Sequence, residues 1–151
     1  MTEPLVYLNG RMVPASEAHL AIFDAGIVLG ASVTEMTRSF RKRLFRLDDH
    51  LDRLYRSLRY TRMDTGLSKE QLAGISQELV AHNARLLDDA GELGLIHFIT
   101  AGEFPTYAGS AGRAARTTPT VCAHTFPPAR DQRKAPGVDS NLGPSCHYRA
   151  R

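Results

Sequence analysis

The run Asp48-Asp49-His50-Leu51-Asp52-Arg53-Leu54 gathers a histidine, an arginine and several carboxylates within two turns' length of chain. Leu51, Leu54 and Leu58 recur at helical spacing, which sets Arg53 beside the apolar stripe rather than on it. A guanidinium so placed offers a planar fork that suits a phosphate. The same spacing equally fits a solvated helix arginine paired with Asp49 or Asp52. Glu35 reads as a strand glutamate in a structural hydrogen bond ahead of any catalytic role. Cys122 and His124 would share one strand face, and Cys146-His147 could add ligands. Their spacing fits no zinc pattern, so the expectation is no metal, with Cys122 a small core residue. His50, His82 and His97 read as an exposed first helix turn, a helix flank and a strand position.

Several elements must position these groups. Leu5 to Leu8 and Arg11 to Val13 flank Asn9-Gly10, which supplies the two positive-φ residues of a tight hairpin turn. Val33 to Phe40 alternates, with Val33, Glu35, Thr37 and Ser39 on one face, and Arg41-Lys42-Arg43 then turns the chain into Leu44 to Leu47. A helix follows from Asp48, with Asp48 or Asp49 placed to cap it. A second helix opens on Ser68 and Gln71 in capping-box register and carries Leu72, Ile75, Leu79 and Leu86 along one side. Leu95 to Thr100 and Thr120 to Phe126 read as strands, with a flexible stretch between them from Gly102 to Thr118. The order β, α, α, β predicts an α+β fold: a small antiparallel sheet with two helices.

With 151 residues, 42% hydrophobic and 23% charged, the chain fits one folded domain rather than a disordered segment. No apolar run reaches membrane-spanning length and the start lacks an export signal, so the expectation is a cytoplasmic protein with free thiols and no membrane partner. Of 19 basic residues only Lys42, Lys69 and Lys134 are lysines, which favours an anionic ligand. Nucleic acid is a poor fit despite a pI near 9.1, because Arg53, Arg56, Arg59 and Arg62 spiral round their helix rather than forming one basic face. No nucleophile elbow, P-loop or dinucleotide fingerprint is present.

Taken in order, Leu8-Asn9-Gly10, Asp24-Ala25-Gly26, Gly30-Ala31-Ser32-Val33-Thr34-Glu35, Phe45-Arg46-Leu47, His50-Leu51-Asp52-Arg53-Leu54 and Ser57 resemble one known pattern. It is the amino-terminal domain of the class IV, fold-type IV pyridoxal-phosphate enzymes, a family of branched-chain and D-amino-acid aminotransferases and aminodeoxychorismate lyase. The resemblance covers roughly residues 5 to 126. It implies pyridoxal phosphate as cofactor, an amino acid and a 2-oxo acid as substrates, and a homodimer. It further implies that Arg53 holds the cofactor phosphate. Thr34 and Leu29 stand where the family commonly places aromatic residues of the substrate pocket, and Ala101 replaces a frequent arginine.

The aldimine lysine of the family, and the acidic residue that meets the pyridine nitrogen, find no match in this sequence. Lys134, followed by Ala135-Pro136, reads as an exposed linker lysine. The resulting expectation is an amino-terminal domain over residues 1–128, then a linker and irregular tail over 129–151. Truncation or a frame change is expected near Val138, with an inactive form as its consequence. The alternatives are an aminodeoxychorismate lyase-like enzyme and a non-catalytic dimerising remnant.

Overall fold

Asn9 and Gly10 both adopt positive φ, 50° and 92°, and so join β1 (Leu5–Leu8) to β2 (Arg11–Pro14) in the tight hairpin that their sequence predicts. The structure is a computed structural model, and it describes residues 3–109 and 118–128. Residues 129–151 lie outside the described residues, and with them Lys134, Cys146, His147 and the expected linker and tail.

After a one-turn helix, α1 (Ala25–Val28), the chain enters β3 (Ser32–Phe40). Its odd-numbered residues from Val33 to Ser39 are buried and its even-numbered ones from Thr34 to Phe40 are exposed. That alternation is the period-two pattern of a strand covered on one face. Arg41 and Lys42 form a second left-handed turn, at φ 52° and 60°, into the two-residue β4 (Arg43–Leu44). The remaining strands are β5 (Gly94–Thr100) and β6 (Thr120–Phe126), which complete a six-stranded antiparallel sheet in the order β2-β1-β6-β5-β3-β4.

Two long helices cover one face of this sheet. The first, α2 (Leu47–Thr61), buries Leu47, Leu51, Leu54 and Leu58. The second, α3 (Lys69–Asn83), buries Leu72, Leu79 and Val80, which meet Leu95, Ile99 and Val121 from the sheet in one apolar core. Each fully buried leucine contributes about 1.5–3 kcal/mol. Ser68 and Gln71 form the reciprocal capping box read from the sequence. Asn83 then ties α3 to the sheet: its amide exchanges hydrogen bonds with both backbone groups of Leu5 and donates to Thr125 Oγ1.

Three local expectations are corrected. Neither Asp48 nor Asp49 caps α2; the N-cap is Arg46 in the left-handed region, and Asp49 lies inside the first turn, paired with Arg46. The turn out of β4 sets that start, since Phe45 donates its amide to Arg38 and Thr37 Oγ1 donates to Phe45 O. α3 stops at Asn83, short of Leu86, which belongs to a separate 3-10 turn and is exposed. Within the stretch expected to be flexible, Pro105–Gly109 forms a short helix, α4.

Candidate functional site

Beyond Ser39, which pairs with Leu44, the stretch of β3 from Ser32 to Arg38 forms a sheet edge with no outer strand among the described residues. Glu35 sits on this edge with its side chain on the helix-covered face, only 3% exposed. From α2, His50 and Arg53 occupy positions i and i+3, one helix face apart from the leucine stripe, and both reach Glu35. Arg53 Nε donates to Oε2 at 2.6 Å and Nη2 to Oε1 at 2.5 Å, a two-point guanidinium-carboxylate pair. His50 Nδ1 lies 2.8 Å from Oε1, and the Met36 amide donates to the same oxygen at 3.0 Å.

Burial pushes the Glu35 carboxyl up, but the Arg53 and His50 hydrogen bonds and the Met36 amide together outweigh it and hold the group at about 2. Glu35 is therefore a fixed anion. Arg53 in turn is raised above its ordinary value by its hydrogen bond to that anion. Its side chain remains 65% exposed, and its Nη1 amine meets no acceptor among the described residues. The geometry thus orients the guanidinium from behind through two of its nitrogens and leaves the third directed away from Glu35.

Behind Glu35 lies a second buried polar group. His97 on β5 is the Cα partner of Glu35, and Ser76 Oγ meets its Nε2 at 2.8 Å. Ser76 donates its single proton to Leu72 O, so it accepts from His97 and fixes the neutral tautomer with hydrogen on Nε2. His97 Nδ1 is buried without a partner among the described residues. Burial lowers this imidazole to about 4.

Of the residues read from the sequence, Arg53 is brought together with Glu35 rather than with Asp49 or Asp52. Arg46 takes Asp49, and Lys69 takes Asp52. That corrects the solvated-pair reading of Arg53, because carboxylates on its own helix are committed elsewhere. The reading of His50 as an exposed first-turn residue is also corrected, since its side chain is only 23% exposed and engaged with Glu35. The i, i+3 spacing of His50 and Arg53 was the signal for a shared partner. Glu35 does make the structural hydrogen bonds expected of it. Thr34 is exposed on the face of β3 opposite Glu35, and Leu29, at the end of α1, is 60% exposed. Cys122 is half-buried, with burial pushing its thiol up to about 11.

The fold is that of the amino-terminal domain of fold-type IV aminotransferases, and the chain belongs to the amino-transferase class IV family, whose model matches residues 32–146. It is 36% identical over 123 residues to the D-alanine aminotransferase of Bacillus licheniformis, a match covering 81% of this chain and 40% of that one. Among solved structures it is similar to the branched-chain amino acid aminotransferase of Escherichia coli, with TM-score 0.68, 22% identity, and coverage of 83% of this chain and 41% of that one. It is also similar to the PLP-bound form of a hypothetical aminotransferase from Mycobacterium tuberculosis, with TM-score 0.69, 19% identity, and coverage of 85% and 42%. These two likenesses are of fold. The chain spans about two-fifths of the length of these relatives.

Proposed function

We propose that this chain supplies the phosphate clamp of a pyridoxal-phosphate aminotransferase, which moves an amino group from an amino acid, of branched-chain type, to a 2-oxo acid. The observation that carries this reading is the two-point Glu35-Arg53 pair, which leaves one guanidinium nitrogen without an acceptor, at a sheet edge without an outer strand, among the described residues. The donor chemistry suits a phosphate, being cationic, planar and pre-oriented, so that little side-chain freedom is lost on binding. His50 steadies the same carboxylate from one turn earlier on α2. Pyridoxal phosphate, when bound, supplies the electron-withdrawing ring that stabilises negative charge at the substrate α-carbon. The part of this chain is to hold and orient: Arg53 binds phosphate oxygen, Glu35 and His50 fix Arg53, and Thr34 and Leu29 border the space left for the substrate.

No lysine of the chain is assigned the covalent role. Lys42 lies in the β3–β4 turn, Lys69 Nζ is engaged by Asp52 at 2.9 Å, and Lys134, whose structure is outside the described residues, stands in sequence before Ala135-Pro136 in the expected linker. This chain on its own is accordingly proposed to be inactive. A cytoplasmic homodimer completes the reading. The exposed apolar side chains Met36, Phe40 and Phe45 support self-association.

The test is equilibrium binding of pyridoxal phosphate against pyridoxal, which differ only in the phosphate. The wild-type chain binds the phosphate form more tightly, and Arg53→Ala removes that preference. Equal affinity for both compounds in the wild-type chain contradicts the proposal. Borohydride reduction of the complex followed by mass spectrometry leaves Lys42, Lys69 and Lys134 unlabelled; a label on any of them contradicts the proposed inactivity.

A further inference from the structure

Asp24 is buried to 1% exposure at the foot of α1, although Ile22, Ile27, Val28 and Leu29 around it are exposed. Its carboxylate is fully used. Oδ1 accepts from the Gly26 amide at 2.8 Å, and Oδ2 accepts from Thr100 Oγ1 at 2.9 Å and Thr120 Oγ1 at 2.8 Å. Thr100 ends β5 and Thr120 begins β6, so one side chain joins the loop to two neighbouring strands where they meet the sheet's end. Thr100 Oγ1 also accepts from the Gly102 amide at 3.1 Å.

The backbone repeats the attachment at both ends of the loop. Ala25 donates to Gly102 O at 2.7 Å, and Ala101 donates to Ala31 O at 3.0 Å. At Gly26 the fit is close enough that a Cβ would stand 2.5 Å from Thr100 Cγ2. Between these anchors Ile27, Val28 and Leu29 remain exposed to solvent. Exposed apolar side chains on a loop whose base is held by so many buried hydrogen bonds make a pre-organised apolar surface rather than a frayed one.

We infer that Asp24, through Thr100 and Thr120, is a positioning residue that holds the 25–31 loop so that Leu29 presents an apolar wall to the substrate side chain. This rests on the proposed function, because it takes Leu29 to border the substrate space. Asp24 touches neither substrate nor cofactor. Its effect is on discrimination between substrate side chains and not on the phosphate grip of Arg53, which sits on the β3 edge and on α2.

The experiment uses the full chain with two reduced adducts as probes, N-(5′-phosphopyridoxyl)-DL-leucine and N-(5′-phosphopyridoxyl)glycine, together with pyridoxal phosphate. The wild-type chain binds the leucine adduct about tenfold more tightly than the glycine adduct, the increment of a partly buried isobutyl group. Asp24→Ala collapses that ratio towards one while the affinity for pyridoxal phosphate holds, and hydrogen exchange rises in residues 24–31 but not in α2 or α3. Thr120→Val, which removes one of the donors, gives the same changes at smaller size and decides the matter should Asp24→Ala fail to fold. An unchanged ratio in a folded variant overturns the positioning role. A wild-type chain that binds pyridoxal phosphate but weighs the two adducts equally also overturns it, and leaves the proposed function standing. A wild-type chain that binds none of the three overturns both.

Discussion

Glu35 and His97 are Cα partners across β3 and β5, buried side by side beneath the helices, yet one is held charged and the other neutral. Glu35 has Arg53, His50 and the Met36 amide to satisfy its charge. His97 has only Ser76, whose hydroxyl accepts its proton and offers nothing to Nδ1. The arrangement keeps the buried row at one negative charge, balanced from the edge by Arg53.

Acid therefore destabilises the fold in two successive windows. His97 lies at about 4 in the fold against 6.5 when exposed, so the unfolded chain takes up its proton first and stability falls as pH drops from 6.5 to about 4. That difference corresponds to about 3 kcal/mol at most. Glu35 lies at about 2 against 4.5, so its contribution is complete above 4.5 and is lost as pH falls through about 2. Urea unfolding from pH 7 to pH 4.5 should show a slope in the wild-type chain that His97→Gln flattens. An identical slope in both proteins would exclude His97 as its source.

Glu35→Gln tests the support behind the clamp. A glutamine has one acceptor oxygen in place of two and no negative charge, so it cannot receive Nε and Nη2 of Arg53 on separate oxygens, and the guanidinium stays charged but is held less firmly. Affinity for pyridoxal phosphate should drop roughly tenfold while binding of pyridoxal stays the same, the order of effect expected from losing supporting contacts behind a ligand-holding group. Unchanged phosphate affinity in this variant would show that Arg53 needs no such support.

The hairpin turns show what the sequence discloses and what it hides. Asn9-Gly10 announces its positive φ through residue type, whereas Arg41-Lys42 adopts the same left-handed pair with side chains that disfavour it. The compensation comes from Glu92, far along the chain, whose carboxylate accepts from Ser39 Oγ and from the amides of Arg41 and Lys42. Replacing Lys42 by Gly should stabilise the protein by about 1 kcal/mol, measured as a shift in the urea midpoint at constant slope. A loss of stability would show that the side chain of Lys42 has a role of its own.

The same division holds at the site. The leucine stripe of α2, the alternation of β3 and the capping box of α3 are local periodic signals, and the structure keeps each of them. Arg53 itself was legible through the motif around it. Its partner was not, because the choice among Glu35, Asp49 and Asp52 depends on how α2 lies across β3, a relation between distant segments. His97 and Ser76, 21 residues apart, meet only once α3 has packed on β5, so neither could be singled out beforehand.

Met36, Phe40 and Phe45 leave apolar surface in water around the outer part of β3, with Phe40 and Phe45 edge to face at 5.5 Å. Sedimentation velocity across a concentration series should show self-association, and Met36→Lys should weaken it. A monodisperse monomer at all concentrations would contradict the proposed homodimer.

Whether Arg53, held by Glu35, receives the phosphate is tested by nitrogen-resolved NMR of the arginine side chains during a titration with pyridoxal phosphate. The Arg53 Nε–H and Nη signals should shift saturably with pyridoxal phosphate and stay in place with pyridoxal. Saturable binding that leaves Arg53 unmoved, or that moves a different arginine in its place, would contradict that role.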